Sequence, residues 1–138
     1  MKARWRENLT RLLLLIGDGR PQMLMENAEK YRRYNERTKQ MLTFIKRHFG
    51  EELSVRDIAD SASISESECL RCFRKILDTS PIAYLKTYRL QRAAELLETT
   101  SRKVSDIAAQ CGFGEMSYFA KSFREIYRCT PSQYRSRT

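Results

Sequence analysis

The chain has 138 residues, 41% of them hydrophobic and 31% charged, with 26 basic side chains against 17 acidic ones and a formal net charge of +9. That length allows one or two small domains with modest cores, and the basic surplus suits a polyanionic partner such as DNA, RNA or an acidic membrane surface, or simply keeps the chain soluble. The best candidate apolar run, Leu12-Leu13-Leu14-Leu15-Ile16, is five residues long, far short of the roughly 18 of a membrane span, and Met1-Lys2-Ala3-Arg4-Trp5 lacks the features of a secretory leader, so no membrane association and a cytoplasmic location are expected.

Periodicity is helical nearly throughout. Trp5, Leu9, Leu12, Leu13 and Ile16 form the stripe of an amphipathic helix, which Gly17-Asp18-Gly19-Arg20-Pro21 is expected to end. Residues 22–36 are polar and charge-rich and show no strong apolar face. Met41, Phe44, Ile45 and Phe49 mark a further helix that stops at Gly50. Ser54-x-x-Asp57 has the form of a capping box opening a short helix through Ala62, and Ser65 can cap the next, to about Leu77. Pro81 suits the first turn of a long helix to about Glu98. Short and longer helices follow at about 104–111 and 115–127 around the turn Gly112-Phe113-Gly114, and Thr130-Pro131 opens a last short one. No convincing strand is found, and the expected fold class is all-α.

The basic surplus is uneven. Residues 1–40 carry ten basic and five acidic side chains, 41–100 carry nine of each, and 101–138 carry seven and three. Four cysteines occur, and Cys69 and Cys72 form a C-x-x-C. Zinc would require two further ligands, and His48 is the only histidine; Cys111 and Cys129 are not a second close pair. A thioredoxin-like redox reading needs strand–helix context, and no convincing strand is found; the bland alternative is that Cys69 and Cys72 are small apolar residues on a helix. No metal or cofactor is expected. One histidine, no paired carboxylates in a cleft pattern and no phosphate-cradling glycine loop leave no catalytic set, so an enzyme is not expected either.

The chain repeats itself. Asp57-Ile58-Ala59 recurs as Asp106-Ile107-Ala108, 49 positions later. Beyond the turn the offset becomes 50, pairing Phe73 with Phe123, Arg74 with Arg124, Pro81 with Pro131 and Tyr84 with Tyr134. Each copy reads as short helix, tight turn and longer helix, the helix-turn-helix arrangement. In the longer helices Cys69, Phe73, Ile76 and Leu77 form one stripe, and Phe119, Phe123, Ile126 and Tyr127 form its equivalent; both are expected to pack inward. Rotated away lie Ser67, Leu70, Arg71 and Arg74 in the first copy and Ser117, Ala120, Lys121 and Arg124 in the second. An ordinary solvated face would look similar in one copy. Two matched copies in a basic chain favour helices that present small and basic side chains to a DNA major groove.

The helix at 81–98 would span about 27 Å at 1.5 Å per residue, a spacer able to hold two reading helices near one DNA turn apart, about 34 Å. Arg89 falls on its apolar side among Ile82, Leu85, Ala93 and Leu96. It must snorkel outward or find a partner, and a structural ion pair with an acid such as Asp57 or Asp106 is favoured over DNA contact.

Residues from about 40 to 136, some 70% of the chain, resemble the DNA-binding domain of the AraC/XylS family of bacterial transcription regulators. The resemblance rests on Ile107-Ala108, Gly112-Phe113, Ser117-Tyr118-Phe119, Phe123-Arg124 and Thr130-Pro131-x-x-Tyr134-Arg135, and on Tyr88-Arg89-x-x-x-Ala93-x-x-Leu96-Leu97 in the connecting helix. It implies two helix-turn-helix subdomains joined by a long linker helix, with recognition helices that enter adjacent major grooves of double-stranded promoter DNA and bend it or bind a curved segment. It also implies activation through RNA polymerase. Carried across, base contacts fall on Ser67, Leu70 and Arg71 in the first helix and on Met116, Ser117, Ala120 and Lys121 in the second. Arg74, Lys75 and Arg124 sit nearer phosphates.

Departures from the family pattern carry consequences. Leu70 and Ala120 can only touch a thymine methyl or shape the fit. Glu66 and Glu68 bring negative charge to the first recognition helix, weakening it on phosphate or letting one of them accept from a cytosine amino group. Ser63 stands where the second copy has Gly112, so its turn must avoid or tolerate a positive φ. Lys103 is a poor N-cap where the first copy has Ser54.

The resemblance divides the chain into a helical N-terminal segment at 1–36 and a DNA-binding domain at 37–138. The latter comprises a first helix-turn-helix at 37–80, a linker helix at 81–99 and a second helix-turn-helix at 100–138. The Trp5–Ile16 helix looks like the last helix before the DNA-binding half of larger members, packed against a missing sensing domain or against itself in a homodimer. The rival expectation is a complete short regulator acting as a monomer. The alternative from another class is a helical protein–protein interaction module, which the Trp5–Ile16 stripe supports for the N-terminus alone.

Overall fold

The structure, a computed structural model, describes residues 21–137. Their regular elements are seven helices: α1 (Pro21–His48), α2 (Val55–Asp60), α3 (Glu66–Leu77), α4 (Pro81–Thr99), α5 (Val104–Gln110), α6 (Met116–Tyr127) and α7 (Pro131–Ser136). The expected Trp5–Ile16 helix lies outside the described residues, as does the support it lent to the docking-module alternative. Two compact units arise, one from 21–46 and Ser54–Pro81, the other from Arg47–Leu53 and 82–137. Residues 47–53 therefore fold with the second unit although the first unit's chain flanks them on both sides.

In the first unit, α1 is one helix where the sequence suggested a polar stretch without a strong apolar face, within a helical N-terminal segment, followed by a separate helix. No glycine or proline interrupts 22–49, and a sparse buried stripe of Leu24, Tyr34, Thr38, Met41 and Ile45 suffices to seat it. Thr38 is 1% exposed, and its hydroxyl donates to the Tyr34 carbonyl at 2.7 Å, which satisfies it inside the helix. The Ser54–Asp57 capping box closes in both directions. Ser54 Oγ accepts from the Asp57 amide at 3.1 Å, and the Ser54 amide donates to Asp57 Oδ2 at 2.9 Å. Those bonds hold the Asp57 carboxyl below its usual pKa and commit it to the cap.

Helix α2 packs on α3, burying Ile58 and Ala59 alongside Cys69, Cys72, Phe73 and Ile76. The turn between them holds Ser63 at φ 56°, so this turn tolerates rather than avoids the left-handed region. The cost of a non-glycine residue there is about 1–2 kcal/mol. Ser63→Gly is expected to stabilise the first unit by about 0.5 kcal/mol, because glycine's greater unfolded-state entropy cancels part of the gain. A urea midpoint at or below that of the parent chain contradicts this.

The second unit repeats the scheme around a core of Leu90, Ala93, Ala94 and Leu97 from α4, Ile107, Ala108 and Cys111 from α5 and its end, and Phe113, Phe119 and Phe123. Residues 82–99, read from sequence as a spacer, thus supply one wall of this core. The rings run on: Phe113 to Phe119 at 4.9 Å and Phe123 to Tyr134 at 5.4 Å between centroids. Ile126 departs from expectation. It is 48% exposed, because Tyr127 and Tyr134 close that end of the core against Phe123, while Ser122 turns inward instead. Lys103 makes no side-chain cap, as its chemistry implies. A second capping box, Thr130 with Gln133, opens α7 behind Pro131.

Arg89 corrects another expectation. Its partners are neither Asp57 nor Asp106 but two backbone carbonyls: Nε donates to Phe49 O and Nη2 to Glu51 O, both at 2.7 Å. Burial lowers its pKa, and the carbonyl pair compensates the buried cation. The guanidinium straddles Gly50 and clamps the 47–53 segment onto the second unit. Sequence could name Arg89 as buried, but a backbone carbonyl leaves no mark in residue identity.

Candidate nucleic-acid interface

In each unit the longer helix of the helix-turn-helix has one face in the core and one outside. On α3 the core side is Cys69, Cys72, Phe73 and Ile76. Ser67, Leu70, Arg71, Arg74 and Lys75 all lie on exposed positions, spaced i, i+3, i+4, i+7 and i+8 along one face. On α6 the core side is Phe119, Ser122 and Phe123. Met116, Ser117, Lys121 and Arg124 are exposed and Ala120 is half-buried. The structure therefore brings the residues expected as base contacts in each copy, with those expected at phosphates, onto a single outer helix face. Leu70 and Met116, at 48% and 43% exposure, leave apolar side chains in water.

Electrostatics differ between the copies. On α3, Arg71 Nη1 lies 2.6 Å from Glu68 Oε1, and Arg37 Nη1 from α1 lies 3.5 Å from Glu68 Oε2. Arg74 Nη1 reaches Asp78 Oδ1 at 3.9 Å. On α6, Lys121 and Arg124 form no ion pair among the described residues. With Ala120, Glu125, Arg128 and Thr130 they line an open groove beside the start of α7. The first copy's cations are partly neutralised within the protein, and the second copy's are directed at solvent.

Sequence reasoning missed Arg128 and Arg37. Arg128 is the left-handed C-cap of α6, at φ 64°, and its amide donates to the Arg124 carbonyl. Asp78 caps α3 in the same conformation at φ 55°, bonded to the Arg74 carbonyl. The 50-residue offset pairs these two positions, so the repeat held the signal of a shared C-cap, while only the folded groove shows Arg128 beside Lys121 and Arg124. Arg37 carries no such signal: its partner is 31 residues away in sequence.

The C-x-x-C pair faces the core. Cys69 and Cys72 are both 0% exposed. Burial pushes the Cys69 thiol up to about 11 and raises that of Cys72, which disfavours the thiolate that metal binding or redox exchange requires. Among the described residues no group of three or more His, Cys, Asp or Glu side chains is placed to hold a metal ion. No described helix is long and apolar enough to cross a membrane.

Comparison with known proteins gives a consistent picture. A family model described as a helix-turn-helix domain matches residues 58–137. The uncharacterised HTH-type transcriptional regulator YdeC of Bacillus subtilis is 36% identical over 101 residues, covering 73% of this chain and 35% of YdeC. The HTH-type transcriptional activator RhaS of Citrobacter koseri is 34% identical over 124 residues, covering 90% of this chain and 42% of RhaS. The chain thus spans well under half the length of these relatives. Among solved structures, a transcriptional regulator with an AraC-type DNA-binding domain from Chromobacterium violaceum superposes with a TM-score of 0.71 at 29% identity, covering 74% of this chain and 91% of that one. The DNA-binding domain of AdpA, solved with a target DNA, superposes with a TM-score of 0.68 at 28% identity, covering 71% and 88%.

Proposed function

This chain belongs to the AraC-type family of helix-turn-helix DNA-binding domains, and from that premise we propose that it is the DNA-reading part of a bacterial, cytoplasmic transcription activator whose α3 and α6 enter adjacent major grooves of promoter DNA. The observation that carries this reading is the duplication. Two copies of one motif each place a serine, an apolar residue and a basic residue at the same register on the outer side of the second helix, with Ala120 half-buried. Ser67, Leu70 and Arg71 are the base contacts of the first copy, and Met116, Ser117, Ala120 and Lys121 those of the second. Arg74, Lys75 and Arg124 hold phosphates, joined by Arg128. RNA polymerase is the downstream partner of an activator, and a homodimer would form through residues 1–20 or a further domain. The activity assigned is binding, with no catalytic role.

Selection of bound duplexes from random DNA by this chain tests the proposal directly. A recovered motif spanning two grooves supports it, whereas one confined to a single groove removes the two-helix reading. Arg71→Ala and Lys121→Ala are each expected to weaken the selected site about tenfold, within the range of a bidentate base contact. Lys30→Ala, on the exposed surface of α1, should change affinity much less. Equal affinities for parent, Arg71→Ala and Lys121→Ala chains in a gel-shift titration contradict the groove assignment.

A further inference from the structure

Building on that DNA-binding reading, we infer that Glu68 is a positioning residue: it sets the guanidinium of Arg71 in place before DNA arrives, and Arg37 of α1 holds Glu68 in turn. Glu68 precedes Arg71 by three residues on α3, so their side chains share a face. The carboxylate uses its two oxygens on two helices, Oε1 on Arg71 at 2.6 Å and Oε2 toward Arg37 at 3.5 Å. Its side chain is 32% exposed against 54% for the Arg71 side chain it holds. The acid is therefore the more enclosed member, and the cation's outer edge remains in solvent.

Arg71 gives only Nη1 to this contact. Nη2 and Nε make no hydrogen bond among the described residues, leaving one edge of the planar fork open to a pair of acceptors such as guanine O6 and N7. An arginine held this way has given up rotamer freedom during folding, so less is lost on binding. It also offers its fork in one orientation, which favours the base that fits and not a phosphate at arbitrary position. The arrangement belongs to the first copy alone. At the 50-residue offset, Glu68 corresponds to Tyr118 and Arg71 to Lys121, and Lys121 has no ion partner among the described residues. Tyr118 instead takes the Lys86 ammonium over its ring at 5.3 Å. The first helix-turn-helix thus reads with a pre-set fork and the second with a mobile point charge.

The test uses the full chain, a duplex selected by that chain from random DNA, and a scrambled duplex of the same composition. Glu68→Gln should lower affinity for the selected duplex about two- to tenfold, the loss expected when one ordered side chain is set free, while leaving or raising affinity for the scrambled duplex. Glu66→Gln removes the same charge from the same turn, where the described residues supply no ion partner, and should raise both affinities alike. In an Arg71→Ala background, Glu68→Gln should no longer lower affinity for the selected duplex. The inference is overturned if Glu68→Gln and Glu66→Gln shift both duplexes alike, or if the Glu68→Gln penalty persists without Arg71. A parent chain that binds the two duplexes equally overturns the sequence-reading premise itself, and the positioning role with it.

Discussion

Replacing Gly112 with alanine is expected to destabilise the second unit by about 2–6 kcal/mol. Two costs add. Gly112 sits at φ 88°, where an L-residue is strained by about 1–3 kcal/mol. A Cβ there would also lie 2.7 Å from Arg89 Nε and 2.8 Å from the Phe49 carbonyl oxygen, an overlap costing about 1–3 kcal/mol more. The second contact is with backbone held by the Arg89 clamp, so it cannot relax cheaply. A thermal melt should show the transition of this unit lowered by about 8 °C or more. Gly114→Ala is the control, because a Cβ there meets nothing within 4 Å. Gly50→Ala should carry the overlap cost without the strain, since its Cβ would lie 2.5 Å from the Gln110 carbonyl oxygen. If Gly112→Ala melts within about 2 °C of the parent, the segment 47–53 does not approach the second turn as the structure places it.

DNA affinity is expected to fall steeply with salt. The four cations proposed to contact phosphate, Arg74, Lys75, Arg124 and Arg128, would give a slope of log affinity on log salt of about −3.6, and hence a loss of about 150-fold between 50 and 200 mM. The copies should not contribute equally. Arg74 lies 3.9 Å from Asp78, so part of its charge is already compensated. Arg124→Ala should reduce the steepness by about 0.9, and Arg74→Ala by visibly less. Affinity independent of salt in a fluorescence titration removes phosphate contact from the proposal. Equal effects of Arg74→Ala and Arg124→Ala remove the asymmetry between the copies.

Most of the architecture was legible in the residues. Caps and prolines mark helix starts by local chemistry, so Ser54, Ser65, Pro81 and Pro131 placed four of them correctly. The repeat added a second source of information, since positions 49 or 50 apart must solve the same packing problem. Ser63 and Gly112 accordingly meet the same left-handed turn, and Asp78 and Arg128 the same C-cap. The candidate reading faces follow mostly from helical periodicity, because a residue rotated away from Phe73 or Phe123 tends to face outward, though Ser122 turns inward instead and Met116 and Lys75 come from the resemblance.

What the sequence by itself determined was therefore local or periodic: helix starts, the duplicated motif, the inner and outer faces of α3 and α6, and the family those residues resemble. Tertiary structure alone decided the continuity of α1 through its polar half, the exposure of Ile126, the carbonyl partners of Arg89, the assignment of 47–53 to the second unit, and the Arg37–Glu68–Arg71 chain. The physical reason is largely shared. Most of these depend on which backbone carbonyl, ring or charge another segment brings within about 4 Å, a short-range contact between residues that chain order leaves far apart, as between Arg89 and Phe49 or Arg37 and Glu68.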